Sequence, residues 1–151
     1  MKRVTIWVLI LSIVSALVIG FILYNSLQPS KASNERSERL VASLLHKDPE
    51  AVSHEQRVLA RKLAHVIEYA LLGLCIGGAL LYLYKRRKKL YLWAALFISL
   101  ALGVLDEYIQ GFVGRTSRVG DVCLDFVGAV CGMLIVFAVY FIYRKIKNRT
   151  V

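Results

Sequence analysis

His65 and five carboxylates, Glu68, Asp106, Glu107, Asp121 and Asp125, stand in or against long apolar runs of this chain. An ionisable side chain at membrane depth is costly and marks a functional site by default. Imidazole is the natural proton carrier near neutral pH, and clustered carboxylates push their proton affinities apart. The set therefore suits general acid–base catalysis, with these six as catalytic candidates. The same hard oxygens and one ring nitrogen suit a divalent metal, magnesium, manganese or zinc, although nothing fixes a ligand count. Arg61, Arg115 and Arg118 offer forked donors for a phosphate or carboxylate, and Lys62 and Gln110 join them as substrate-binding candidates. A third reading needs no ligand. Arg61–Asp121 or Arg115–Glu68 pairs would neutralise one another between helices, as intramembrane charges commonly do. His65 alone would be an ordinary hydrogen-bonded helix residue, and only its company raises it.

Helical spacing must bring these residues together. Arg61, His65, Glu68 and Leu72 follow i, i+4, i+7 and i+11 and share one helix face, bordered by Lys62 and Tyr69. Asp106 and Gln110 are four apart, and Glu107 lies three before Gln110. Asp121, Asp125, Gly128 and Gly132 form one stripe. Gly128-x-x-x-Gly132 and Gly73-x-x-x-Gly77 would let helices approach closely, although glycine is common in membrane helices and the motif alone is weak.

The elements follow from hydropathy. Val4 to Tyr24 is uncharged and long enough to span a bilayer of about 30 Å. It lacks a small-residue cleavage site, so it reads as a retained first span rather than a signal peptide. Residues 25–60 are polar and hold both prolines, Pro29 and Pro49. Within them, 34–46 carries Leu40, Val41, Leu44 and Leu45 at helical spacing, an amphipathic helix on the membrane surface or capping the bundle. Asp48-Pro49-Glu50 is one helix start, and Ser53 with Gln56 fits a capping box as a second. Spans two to four are read as Arg61–Tyr84, Leu90–Ile109 and Asp121–Tyr143, with a polar turn over 111–120. The expected architecture is all-α: an integral membrane four-helix bundle with an extra amphipathic helix between spans one and two. It forms one domain, with a first span over 1–25, an outward linker over 26–60, a three-span core over 61–143 and a basic tail over 144–151.

The net charge of +10 could suggest a nucleic-acid ligand. The basic residues instead sit at the ends of apolar runs, where they set topology. Lys2 and Arg3, the run Lys85 to Lys89, and the tail from Arg144 contain no acidic residue, and all ten acidic residues lie in the intervening segments. The positive-inside rule then places both termini and the 85–89 loop in the cytoplasm, in a multi-pass cell-membrane protein whose polar site opens outward. Cys75, Cys123 and Cys131 show no zinc-site spacing and read as small membrane-buried residues. Trp7, Trp93 and the tyrosines read as interfacial anchors and packing. A transporter is disfavoured, because four spans without an internal repeat make a poor alternating-access machine.

Three stretches also resemble a known family: R-K-L-A-H-V-I-E-Y-A-L-L-G (61–73), L-D-E-Y-I-Q-G-F-V-G-R (105–115) and D-V-C-L-D-F-V-G-A-V-C-G (121–132). Their order is similar to that of the VanZ-like family of small bacterial integral membrane proteins, and the resemblance covers about residues 50–140. It implies a role in low-level resistance to the glycopeptide teicoplanin, a phenotype rather than a reaction. The family's recurrent polar positions correspond to Lys62, His65, Glu68, Asp106, Glu107, Gln110, Arg115, Asp121 and Asp125. Two departures stand out. Gly111-Phe112-Val113-Gly114 replaces a proline-containing turn, and Asp125 replaces a frequent asparagine. The expected partners are membrane lipids, with a lipid-linked envelope precursor or a glycopeptide as the ligand. Two alternatives stay open: a membrane enzyme on a lipid-linked or phosphorylated envelope substrate, and a non-catalytic scaffold whose charges hold the bundle together.

Overall fold

A computed structural model describes residues 2–149; Met1, Thr150 and Val151, the last two from the basic tail, lie outside the described residues, as does the side chain of Trp7. The described chain is all-helical. Helix α1 runs Lys2–Ser26, α2 Ser30–Leu45, α3 His54–Arg87, α4 Leu92–Phe112 and α5 Val119–Lys147, with a single 3-10 turn at Pro49–Ala51. Four of them, α1, α3, α4 and α5, are long and apolar enough to cross a membrane. In hydrocarbon every backbone amide must be satisfied within its own segment, which an unbroken helix achieves.

The helices outrun the spans read from hydropathy, because a change of polarity marks a membrane boundary rather than the end of backbone hydrogen bonding. The longest extension is in α3, which begins two turns before Arg61. Ser53 is its N-cap. The Ser53 hydroxyl accepts from the Gln56 amide at 3.2 Å, and the Ser53 amide donates to Gln56 Oε1 at 3.1 Å. This reciprocal pair satisfies two amides of the first turn. Asp48 and Pro49 start only the 3-10 turn. At about 1.5 Å per residue, α3 is roughly 50 Å long, against a hydrocarbon core of about 30 Å. Its charged first turns therefore have room to stand clear of the apolar layer.

Helix α2 settles how 34–46 is used. Val41 and Ala42 are buried with Val52 and pack on Ala60 of α3, while Leu40, Leu44 and Leu45 remain exposed. One face contacts the bundle and the other presents leucines outward. Of the cysteines, Cys75 is buried in the protein, whereas Cys123 and Cys131 lie exposed on the outside of α5. All three lie on membrane-length helices, Cys75 facing the protein and the other two facing away from it.

The closest seam joins α3 to α5. Here Gly73 faces Ala129, Gly77 faces Met133 and Val136, and Gly132 faces Ala70 and Leu74. A Cβ on Gly73 would strike the Ala129 carbonyl, and one on Gly132 would strike the Ala70 carbonyl. Both glycine pairs read from the sequence thus work as one interlocked surface. Without a hydrophobic driving force between helices in lipid, such backbone proximity supplies the van der Waals contact. Ile22, Tyr69, Leu72 and Ala129 fill the core beside it, and Leu80, Ala95 and Met133 fill the other half. Gly132→Ala is expected to destabilise the folded protein by about 1–3 kcal/mol. Gly20→Ala, where nothing lies within 4 Å, should change it by less than about 0.5 kcal/mol. Thermal melting of the two variants in detergent checks the contrast; equal melting points would remove the seam from this account.

Candidate functional site

Four helix ends converge at one end of the bundle. The C-terminal end of α1 meets the N-terminal half of α3, since Asn25 Nδ2 donates to Glu68 Oε1 at 2.7 Å. It also meets α4, since the Ser26 hydroxyl donates to Asp106 Oδ1. Lys62 of α3 lies 3.2 Å from Asp121 Oδ1 on α5. The basic C-terminal end of α3 meets α5 at the opposite end, where the Lys85 ammonium sits 4.5 Å above the Tyr140 ring.

Asp106 is the most enclosed member, with no exposed surface. Besides Ser26 it accepts from Gln110 Nε2 at 3.0 Å, one helical turn along α4. His65 Nδ1 stands 3.6 Å from its Oδ2, near but beyond hydrogen-bond reach. Glu107, also buried, accepts at Oε2 from the Arg118 amide at 2.9 Å and so ties α4 to the start of α5. Asp125 is 1% exposed, and its Oδ2 has no hydrogen-bond partner among the described residues.

Arg115 closes this layer from the turn between α4 and α5. Gly114, at φ +73, reverses the chain there, and the Arg115 amide donates back to the Gln110 carbonyl at 3.1 Å. A left-handed backbone favours glycine, which explains how this turn dispenses with a proline. The guanidinium is buried to 9% exposure. It donates to the Asn25 carbonyl at 3.4 Å and lies 3.4 Å from His65 Nε2. Burial, then the charge of Arg61, holds its pKa below the usual guanidinium value, while Asp106, Glu107 and Glu68 oppose that shift. A guanidinium stays protonated in proteins and can only donate. In this arrangement His65 Nε2 is the acceptor and Nδ1 carries the proton, facing Asp106.

A cavity of about 630 Å³ opens beside these groups. Nine of the eleven residues singled out above line it: Arg61, Lys62, His65, Glu107, Gln110, Arg115, Arg118, Asp121 and Asp125. Asp106 lies behind its wall, and Glu68 faces a smaller cavity of about 140 Å³ shared with Asn25 and Arg115. The ion pairs considered at the outset do not form. Lys62 takes Asp121, Arg61 turns to Asn34 of α2 at 3.4 Å, and Asn25 rather than Arg115 reaches Glu68. Among the described residues, Arg61, Arg115 and Arg118 have no carboxylate within ion-pair distance. Three guanidinium groups and the carboxylates beside them line one cavity, a set that can bind an anion and hold or move protons beside it.

Asn25 and Ser26 were not foreseen as site residues. They directly follow the apolar run ending at Tyr24, where polar residues ordinarily mark a loop. Only the return of α3 and α4 to the same end gives them partners. Helix α1 thus contributes to the site directly.

Fold and site define a helical integral membrane protein with a polar constellation built into one end of its bundle. The chain matches the VanZ/LLP1 family over residues 9–142 and belongs to that family. No curated protein and no solved structure matches it.

Arg115 and Lys62 differ sharply in burial. Removing a buried charge partner leaves the others uncompensated, so Arg115→Met is expected to cost about 3–5 kcal/mol. The Lys62–Asp121 pair is partly exposed, at 37% and 24% for the two side chains, so Lys62→Met should cost about 1 kcal/mol or less. Melting curves of the purified variants measure both. A Lys62 variant as damaged as the Arg115 variant would contradict the assignment of Arg115 as the central counter-charge.

Proposed function

We propose that this VanZ/LLP1 membrane protein lowers susceptibility to teicoplanin-type glycopeptides from an outward-facing polar site. The observation that carries the reading is the cavity lined by Arg61, Arg115 and Arg118, none of which has a carboxylate within ion-pair distance among the described residues. The resemblance of residues 61–73, 105–115 and 121–132 to VanZ-like proteins suggests the link to glycopeptide resistance. In this reading His65, Glu68, Asp106, Glu107, Asp121 and Asp125 are the working acid–base set, and Arg61, Lys62, Gln110, Arg115 and Arg118 receive the ligand. The same cavity favours a more specific second reading, an enzyme on a lipid-linked or phosphorylated envelope substrate, because forked guanidinium donors match a phosphate. Glu107→Gln keeps an acceptor for the Arg118 amide while removing the charge. It is expected to abolish the protection given by the wild-type protein while membrane protein level stays normal. Drug susceptibility, protein level and the profile of lipid-linked precursors, measured in the same cells, read out both proposals. Unchanged susceptibility on deletion and overexpression would sink the first, and an unchanged precursor profile the second. Loss of the protein itself would make the charges structural.

The proposed topology is four crossings of the cell membrane as one domain, with both termini and the 85–89 loop cytoplasmic. The asymmetry of basic residues supports it. In a background with Cys75, Cys123 and Cys131 replaced, Ser117→Cys should react with an impermeant thiol reagent in intact cells, and Lys88→Cys only after lysis. The reverse pattern would invert the topology and place the cavity on the inner side.

A further inference from the structure

We propose that His65, Asp106 and Asp125 form a site for a divalent transition-metal ion, zinc first, at the floor of the arginine-lined cavity. This goes beyond the reading above and stands or falls without it. The three side chains come from α3, α4 and α5, and one ligand atom of each lies within 4.8 Å of the others. Tetrahedral zinc ligands at about 2.0–2.2 Å from the metal stand about 3.5 Å apart, so small side-chain rotations close the set.

Three independent features point to a cation. The first is an unsatisfied acceptor: Asp125 Oδ2 is buried without a hydrogen-bond partner among the described residues, and Asp125 is 99% enclosed, being 1% exposed. Buried polar atoms are nearly always satisfied, so each exception calls for an explanation. The second is charge. Asp106, Glu107 and Asp125 are buried with Arg115 as the one buried cation among the described residues, a formal excess of two carboxylates. A dication cancels both. The third is support from behind. Ser26 and Gln110 hold the two oxygens of Asp106, as outer-shell partners hold carboxylate ligands in metal sites.

The donor set, one imidazole nitrogen and two carboxylate oxygens without a thiolate, suits zinc with one position left open. His65 and Asp125 line the cavity, so that position faces the arginines, where an anionic oxygen would enter. Binding also predicts a change of tautomer. To give Nδ1 to the metal, His65 must carry its proton on Nε2, and Arg115 must then leave that nitrogen while keeping the Asn25 carbonyl.

The test uses the full chain, purified in detergent and stripped with chelator. Bound zinc is measured after dialysis, and cobalt is used as a spectroscopic substitute. The expected result is close to one zinc per chain, with a cobalt spectrum free of the thiolate charge-transfer band that Cys123 or Cys131 would produce. Asp125→Asn should reduce affinity at least about tenfold, and Ser26→Ala, acting through Asp106, by about 10–100-fold. Should Asp125→Asn fail to fold, Ser26→Ala decides. Substoichiometric zinc on the wild type, a thiolate band, or wild-type affinity in a folded variant overturns the proposal. Zinc binding is read on purified protein, so its failure is distinct from failure of the susceptibility test.

Discussion

One buried guanidinium facing several buried carboxylates sets the terms for this end of the molecule. Taking an ion from water costs several kcal/mol even after relaxation, and attraction offsets that cost only where the remaining donors and acceptors are also satisfied. Arg115 lies among Asp106, Glu107 and Glu68, and each acid has a second source of stabilisation. Ser26 and Gln110 serve Asp106, the Arg118 amide serves Glu107, and Asn25 serves Glu68. Asp125 has no such service, which is why it draws attention as the chemically unfinished member.

That arrangement depends on how closely the helices can approach. The glycine seam of α3 and α5 brings two backbones together, and the polar residues one or two turns along the same faces follow. Asp125 lies one turn before Gly128, and His65 lies two turns before Gly73. The small residues therefore act on the site at a distance, by fixing the separation between the helices that carry its acid and its base. The long α3 contributes in a second way. Its extra turns before Arg61 form part of the cavity wall through His54, Glu55 and Arg57, so the rim is built from the same rigid element as the floor.

The four helices of membrane length and the glycine pairs were legible in the sequence because length and periodicity of apolar residues can be read directly. Seven of the nine candidate residues that line the cavity sit on α3, α4 or α5, where helical spacing turns them inward, whereas Arg115 and Arg118 come from the turn between α4 and α5. Pairing was not legible. Lys62 and Arg61 are adjacent in sequence, and their spacing does not say which reaches Asp121. The choice is made by α2, whose Asn34 draws Arg61 away. Asn25 and Ser26 stayed hidden for a related reason: a hydrogen bond between residues 26 and 106 has no local signature. The helix starts shifted because the Ser53 capping box, visible in the sequence, continues α3 through polar residues that hydropathy assigns to a linker.

The position of Asn25 and Ser26 has a consequence for synthesis. They are made 43 and 80 residues before the acids they serve. Emerging from the ribosome, α1 can insert early, but its polar tip must wait with water or lipid headgroups as partners until α3 and α4 arrive. Asp106 in turn precedes Arg115 by nine residues, so α4 delivers its acid before the compensating charge exists. The polar end is thus completed only when the turn after α4 is in place and α5 has docked along its glycines. A nascent chain halted before that turn would hold Glu68, Asp106 and Glu107 without Arg115.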